Sequence, residues 1–222
     1  MEVNEMQKWN LAHRIKGYHD FSLVNGDLEK VERDSHVKFI KKIISEEEYP
    51  SSHPLSNDMK IAIIDFEGSP VFMCGIMIHN TIFTYFIENP SDNNELFLTI
   101  FRVLKKAKDF SFFAFSDYER IELLKMFRYL QVQGYKVSEF RFLKEFPIIN
   151  IQKTKFESLT EAFYSINPNS AKMTGDSLFR NNKLVDQLFA AKKFEEIISH
   201  NRNCLLIESL LFQKRWYKNY KI

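Results

Sequence analysis

Cysteine, glycine and proline are all scarce in this chain, and each shortage excludes a class of protein. Two cysteines, Cys74 and Cys204, cannot build the disulfide framework of a small secreted domain. With only six glycines and six prolines in 222 residues, the chain does not resemble a flexible low-complexity protein. The sequence also lacks a charged-then-apolar leader and any apolar run of about 20 residues. We therefore expect a cytoplasmic protein with reduced thiols and no membrane segment.

A strong charge of one sign is missing as well. The 31 basic and 29 acidic side chains leave a formal net charge of only +2, so any nucleic-acid-binding surface must be a local patch. Apolar residues, in contrast, are abundant: 45% of the chain is hydrophobic, and there are 22 phenylalanines. This composition supports one sizeable core, and hence one domain with a terminal extension.

The composition changes near residue 58. Residues 1–58 mix charged and aromatic side chains around a predicted helix at 31–44 and close with a segment rich in proline, serine and asparagine. We interpret this part as a helical extension and linker that can contact a protein partner. Residues 59–222 form the predicted domain.

The pattern of apolar residues after this boundary predicts an α/β fold. Three β-rich runs come first, and the pair His79-Asn80 splits the second from the third as a hairpin turn. Strands and helices then alternate. The predicted strands are 60–66, 71–78, 81–87, 110–115 and 146–152, and the predicted helices are 93–108, 117–130 and, after further helical segments, 193–218. An antiparallel three-stranded meander followed by βα units predicts a mixed sheet flanked by helices.

Two carboxylates, Asp65 and Glu67, end the first of these strands. Residues two apart in a strand point to the same face, so both side chains can reach one point in space. Converging carboxylates are suitable ligands for Mg²⁺ or Mn²⁺, and Gly68 lets a turn or a ligand approach closely. The alternative is that the buried strand simply ends here and polar residues begin.

Two further segments follow the acidic pair in order. Residues 116–119 read Ser-Asp-Tyr-Glu and open a predicted helix, and residues 200–204 read His-Asn-Arg-Asn-Cys within the last one. Thr-Gly-Asp at 174–176 lies ahead of that helix. Over residues 60–215 these motifs resemble the RNase H-like domain family related to YprB, in the wider DEDD exonuclease-like superfamily. The resemblance implies an RNase H-like fold, whose element order agrees with the one predicted above.

The resemblance also implies roles for individual residues. Asp65, Glu67 and Glu119 would bind the catalytic metal, and Asp117 is either an alternative carboxylate or the helix N-cap. The third motif departs from the family, because Cys204 stands where the family has its last aspartate, and His200 where it usually has tyrosine. A thiolate is a poor ligand for Mg²⁺ and a better one for zinc, so this departure affects the second metal position.

Helical spacing offers a replacement for the missing carboxylate. Glu196, His200, Cys204 and Glu208 recur every four residues and form one stripe on a helix. Glu208 would then serve as a metal ligand and His200 as a general base toward the attacking water. The other interpretation is an ordinary helix face with a buried cysteine, which packs as a small apolar residue.

The end of the last predicted helix interleaves cations with aromatic residues, including Lys214, Arg215 and Trp216. This pattern suits a phosphate backbone with stacked bases, and it equally suits a helix end whose cations complement the helix dipole.

The resemblance implies a metal-dependent nuclease that hydrolyses phosphodiester bonds of single-stranded DNA or RNA, like a 3′–5′ exonuclease, with Mg²⁺ or Mn²⁺. The alternative is a catalytically inactive RNase H-like module that binds nucleic acid or a protein partner. Cys204 favours the alternative, and the intact first two motifs favour the enzyme.

Overall fold

A computed structural model describes residues 36–45, 60–136, 141, 146–166, 176, 178, 181 and 183–216. In this part of the chain, a mixed α/β arrangement combines one sheet with helices. The strands are β1 (Lys38–Ile43), β2 (Ile61–Glu67), β3 (Met73–Ile78), β4 (Thr81–Phe86), β5 (Ser111–Ala114) and β6 (Ile148–Asn150). The helices are α1 (Asn93–Lys106), α2 (Tyr118–Val132), α3 (Leu159–Ile166), α4 (Lys183–Ala190) and α5 (Phe194–Arg215), with a short 3₁₀ turn at Pro90–Asp92.

The six strands form one sheet in the order β1-β4-β3-β2-β5-β6. The pairs β1–β4, β4–β3 and β3–β2 are antiparallel, whereas β2–β5 and β5–β6 are parallel. The hairpin turn falls at the predicted pair, where His79 takes a positive φ of 54°. The prediction of a meander followed by βα units is therefore confirmed. No helix in the described ranges is long and apolar enough to cross a membrane.

Strand β2 lies in the middle of the sheet, and all seven of its residues are buried. This explains its continuous apolar sequence, because helices cover both faces. Alternate residues enter different cores: Ala62, Ile64 and Phe66 pack with α1 and α2, whereas Ile61 and Ile63 pack with α3 and α5. The same alternation carries the strand's acidic end to the α5 face.

Helix α5 crosses β2 and β3 at very close range. A Cβ atom on Gly75 would overlap the side chain of Asn201 and come within 2.7 Å of Leu205 Cδ1. Glycine at this position therefore lets the helix backbone approach the sheet. The contact fixes which turns of α5 lie over the carboxyl end of β2.

The predicted helix at 31–44 is wrong for the residues that the structure describes. Residues 38–43 form β1, which pairs with β4 along its whole length, while 31–35 lie outside the described residues. Phe39 packs its ring 5.1 Å from that of Tyr85, between ring centroids. The open edge of β4 offers backbone hydrogen bonds and aromatic partners, and such tertiary contacts override local helix periodicity. The predicted extension thus supplies an edge strand to the sheet.

Candidate metal centre

The end of β2, the start of α2 and the middle of α5 enclose a cleft of about 990 Å³. It is lined by carboxylates from all three elements, together with one imidazole and one thiol. The site residues that line it are Asp65, Glu67, Glu119, His200, Cys204 and Glu208. Every predicted catalytic or metal-binding residue therefore borders the same space.

Asp65 and Glu67 enter the cleft from the sheet, and both are buried. Asn201, one residue after His200 on α5, donates from Nδ2 to Asp65 Oδ2 at 2.8 Å. This bond connects the first motif to the last helix and holds one carboxylate oxygen of Asp65 in place. No role could be predicted for Asn201 from sequence, since its contact with Asp65 depends on how α5 packs over Gly75.

The start of α2 brings Glu119 to the same point. Ser116 Oγ accepts a hydrogen bond from the backbone N–H of Tyr118 at 3.1 Å, and the Tyr118 hydroxyl donates to the Gly68 carbonyl at 2.7 Å. These bonds tie the helix start to the turn after β2 and leave Glu119 buried. Asp117 instead is half exposed and lies 3.5 Å from Arg120, outside the cleft lining. Of the two candidate carboxylates in this motif, Glu119 is the one that borders the cleft.

The stripe predicted on α5 exists, and three of its four members are buried at the cleft. His200, Cys204 and Glu208 are 3%, 7% and 2% exposed, so they form a continuous row across two helical turns. Glu196, one turn earlier, is about half exposed and pairs with Lys193 at 3.2 Å. The functional part of the stripe thus begins at His200.

A carboxylate outside the predicted set orients His200. Asp176 Oδ2 lies 2.8 Å from His200 Nδ1, and Asp176 also accepts hydrogen bonds from Asn203 Nδ2 and the Leu178 backbone N–H. These contacts hold the pKa of Asp176 below its usual value, although burial opposes them. An ionised carboxylate can only accept, so Nδ1 carries a proton, and in the neutral imidazole Nε2 is then the acceptor. In the sequence, Asp176 stood out only as the last residue of the Thr-Gly-Asp segment ahead of the final predicted helix.

The acceptor nitrogen of His200 faces two other possible ligands. Nε2 lies 3.7 Å from Cys204 Sγ and 4.0 Å from Glu67 Oε1. One ligand atom from each of Glu67, His200 and Cys204 lies within 4.8 Å of the other two, and all three residues are buried. This group could hold a metal ion.

The pKa values of the carboxyl groups in the cleft are raised, first by burial and, for the three glutamates, also by the charge of Asp65. Burial raises the pKa of Asp65 to about 6, an effect that the nearby His200 partly offsets. Burial also raises the pKa values of Glu67, Glu119 and Glu208 well above normal, and the negative charge of Asp65 adds to the effect. Like charges brought together without water destabilise the ionised forms of all members. A bound cation would relieve this repulsion.

Three carboxylate oxygens at the cleft have no hydrogen-bond partner among the described residues: Glu67 Oε1, Glu119 Oε2 and Glu208 Oε2. Buried polar atoms are normally paired, and leaving one unpaired costs about 1–3 kcal/mol. Oxygen-rich clusters of this kind fit hard divalent cations. The cleft is therefore a candidate metal site, with the Glu67, His200 and Cys204 group as one set of ligands that could hold an ion.

Two of the three basic and aromatic residues at the end of α5, Arg215 and Trp216, have partners within the fold. Arg215 makes two hydrogen bonds of 2.7 and 2.8 Å to the Glu157 carboxylate, and Trp216 packs against Phe113 with ring centroids 6.0 Å apart. Lys214 is exposed. Nucleic-acid contact by Lys214, Arg215 and Trp216 stays a prediction, and two of the three side chains already stabilise the end of the helix.

Comparison with protein-family models, with curated proteins and with solved structures finds no match for this chain. The interpretation of the site therefore rests on its own geometry and chemistry: a buried row of acids, an oriented imidazole and a thiol in one cleft.

Proposed function

We propose that this protein is a metal-dependent nuclease that hydrolyses phosphodiester bonds of single-stranded nucleic acid in the manner of a 3′–5′ exonuclease. The observation that carries the proposal is the set of buried oxygens on Glu67, Glu119 and Glu208 that have no hydrogen-bond partner in the described part of the chain and lie at an accessible cleft. Groups with strongly shifted pKa values concentrate at functional sites. A cluster of such carboxylates at a cleft therefore points to a function.

The sheet supports the nuclease interpretation over other uses of a metal. Five of the six strands, in the order β4-β3-β2-β5-β6, follow the order of an RNase H-like sheet, and β1 is added at one edge. The acidic pair lies at the end of the central strand β2. The second and third acidic positions then come from α2 and α5, as the sequence motifs require. The RNase H-like assignment is part of the proposal.

In this mechanism Asp65, Glu67, Glu119 and Glu208 would hold the divalent ions. Bound Mg²⁺ or Mn²⁺ supplies charge neutralisation at the phosphate and makes water a stronger nucleophile. His200 Nε2 accepts the proton of the attacking water, and Asp176 stabilises the imidazolium that results. The water oxygen bonds to phosphorus, while the bond to the 3′ oxygen of the shortened strand breaks and that oxygen takes up a proton from solvent. The products are a 5′-mononucleotide and a new 3′ hydroxyl.

One observation favours a second candidate, an inactive RNase H-like module that binds nucleic acid or a protein partner. Cys204 occupies the third-motif position, and burial raises the pKa of its thiol well above normal. A protonated thiol contributes no charge to a magnesium site, so the ring of ligands would be incomplete at this position.

The two functions are separated by incubating the purified protein with labelled single-stranded DNA and RNA in Mg²⁺, in Mn²⁺ and in chelator. Asp65→Asn removes one charge at the cleft with little change of shape. The matched control is Asp117→Asn, which changes a half-exposed residue at the start of α2, outside the cleft lining. We expect cleavage by the wild type and the control and none by Asp65→Asn.

The proposal is contradicted by a wild type that neither cleaves nor binds Mn²⁺ in calorimetry, or by cleavage that persists unchanged in Asp65→Asn. Retention of labelled strands without cleavage, equal in the wild type and Asp65→Asn, would support the inactive binding module instead.

A further inference from the structure

Two ligands in the cleft, the His200 imidazole and the Cys204 thiol, differ chemically from the carboxylates. We propose that Glu67, His200 and Cys204 form a site for a thiophilic divalent ion of the zinc class, which excludes Mg²⁺ and shares only Glu67 with the carboxylate ligands of the cleft. Nitrogen and sulfur ligands select zinc-like ions, whereas Mg²⁺ requires oxygen.

The distances agree with tetrahedral coordination after a small movement of one side chain. Zinc bonds of about 2.0 Å to nitrogen and about 2.3 Å to sulfur place those two atoms roughly 3.5 Å apart at a tetrahedral angle. His200 Nε2 and Cys204 Sγ are already 3.7 Å apart. Glu67 Oε1 lies 4.0 Å from Nε2 and within 4.8 Å of Sγ, against about 3.4 and 3.6 Å in a tetrahedral site, so it must move inward by roughly 0.5–1 Å. No hydrogen bond from the described residues opposes this movement, because Oε1 has no hydrogen-bond partner among them.

The imidazole is already oriented as a ligand. Asp176 accepts the Nδ1–H of His200 at 2.8 Å, which leaves the Nε2 lone pair directed toward Cys204 and Glu67. Metal-binding histidines have this arrangement, in which a carboxylate fixes the tautomer and raises the basicity of the ligand. Asp176 is itself held by Asn203 and by the backbone N–H of Leu178. This second layer of contacts has no evident purpose in a helix face that only packs.

The helix supplies two of the three ligands from adjacent turns. His200 and Cys204 are four residues apart on α5, so their side chains lie on one face, and close contact at Gly75 places that face over Glu67. When the ion binds, the Cys204 thiol forms a sulfur–metal bond and its proton passes to solvent. Three protein ligands leave a fourth position open, as in catalytic rather than structural zinc sites.

The catalytic meaning of this site rests on the proposed function, since Glu67 belongs to both ligand sets and His200 Nε2 can act as the base only while no ion is bound to it. Metal binding, however, can be measured without any cleavage. Failure of the nuclease assay would leave the thiophilic site intact, and failure of thiophilic binding would leave a carboxylate nuclease intact.

The test uses Co²⁺ as a spectroscopic probe for zinc, because a cobalt–thiolate bond produces a charge-transfer absorption in the near ultraviolet. The full chain, freed of metal, is titrated with Co²⁺ and then with Zn²⁺ and Mg²⁺ as competitors. The chain has only two cysteines, so Cys74→Ala is the matched control for Cys204→Ala. Asp176→Asn tests the positioning contact separately.

We expect one equivalent of Co²⁺ to give the band in the wild type and in Cys74→Ala. Zn²⁺ should abolish the band at one equivalent, and a large excess of Mg²⁺ should leave it. Cys204→Ala should lose the band while keeping its circular dichroism. Asp176→Asn should keep the band and bind Co²⁺ about 10- to 100-fold more weakly.

A wild type that folds but gives no band, or a band that Mg²⁺ displaces or that survives in Cys204→Ala, overturns the proposal. Should Cys204→Ala fail to fold, protection against alkylation replaces it. In Cys74→Ala, bound Zn²⁺ should slow modification of Cys204 at least tenfold, and equal rates with and without Zn²⁺ would equally overturn the proposal.

Discussion

Replacing Asp65 by asparagine should stabilise the metal-free protein. Burial raises the pKa of Asp65 from 3.8 to about 6 in the folded protein. Between these two values the unfolded chain has lost the proton that the folded protein keeps, so the free energy of unfolding falls as pH rises through this window. Above about pH 6 the penalty is complete and amounts to about 3 kcal/mol. Asparagine carries no charge and retains an oxygen that can accept the hydrogen bond from Asn201.

The assay is urea unfolding with chelator present, followed by circular dichroism at two pH values. Asp65→Asn should raise the free energy of unfolding by about 3 kcal/mol near pH 7.5 and by about half of that near pH 5, where the folded aspartic acid is largely neutral. The slope with urea should not change. The control Asp117→Asn alters an exposed residue and should change stability by less than about 0.5 kcal/mol.

Bound metal should reverse the order of stability, so that the wild type has a higher free energy of unfolding than Asp65→Asn. A saturating ion binds the folded wild type and stabilises it in proportion to the logarithm of its concentration over the dissociation constant, whereas Asp65→Asn lacks one ligand. Asp65→Asn less stable than the wild type in chelator near pH 7.5, or a gain that does not shrink near pH 5, would refute the reasoning.

Three other substitutions test the site and its supports. Cys204→Asp should lose the cobalt–thiolate band and bind Mn²⁺ at least tenfold more tightly in calorimetry, since the added ligand is oxygen; unchanged Mn²⁺ affinity would argue against a ligand at this position. Gly75→Ala should lower the free energy of unfolding by roughly 3 kcal/mol, measured with urea, because the new Cβ overlaps Asn201; a near-neutral effect would contradict the close helix contact. Arg215→Lys should cost about 1–2 kcal/mol by the same assay, because lysine cannot reproduce the two bonds to Glu157, whereas Lys214→Arg at the exposed neighbour should cost almost nothing.

The order of strands and helices from residue 60 onward could be predicted because local sequence reports it directly. Strand β2 is apolar at nearly every position since helices cover both faces of the sheet, and the turn at His79 separates two similar runs. Strand β1 could not be predicted in this way. Its lysines and apolar residues fit a helix as well as an edge strand, and only the open edge of β4 decides between them.

Part of the candidate site could be predicted, because the spacing of residues within one strand or helix determines which side chains point the same way. Two-residue spacing in β2 aligned Asp65 with Glu67, and four-residue spacing in α5 aligned His200 with Cys204. Asp176 and Asn201 were missed because their roles depend on distances across the fold. Asn201 contacts Asp65 where the helix meets Gly75, and Asp176 reaches His200 from 24 residues earlier in the chain.

The hydrogen bond between Asn201 and Asp65 joins residues 136 positions apart, so strand β2 and helix α5 meet inside the site. An ion shared by Glu67 and His200 would bridge nearly the same span, as a reversible staple across most of the chain. Unlike a disulfide, such a link leaves the unfolded chain unrestricted, because the ion binds only the folded site. It would stabilise the fold by mass action, so the hold of α5 on the sheet would depend on the concentration of the ion. Loss of the ion through the cleft would weaken that hold without opening the fold.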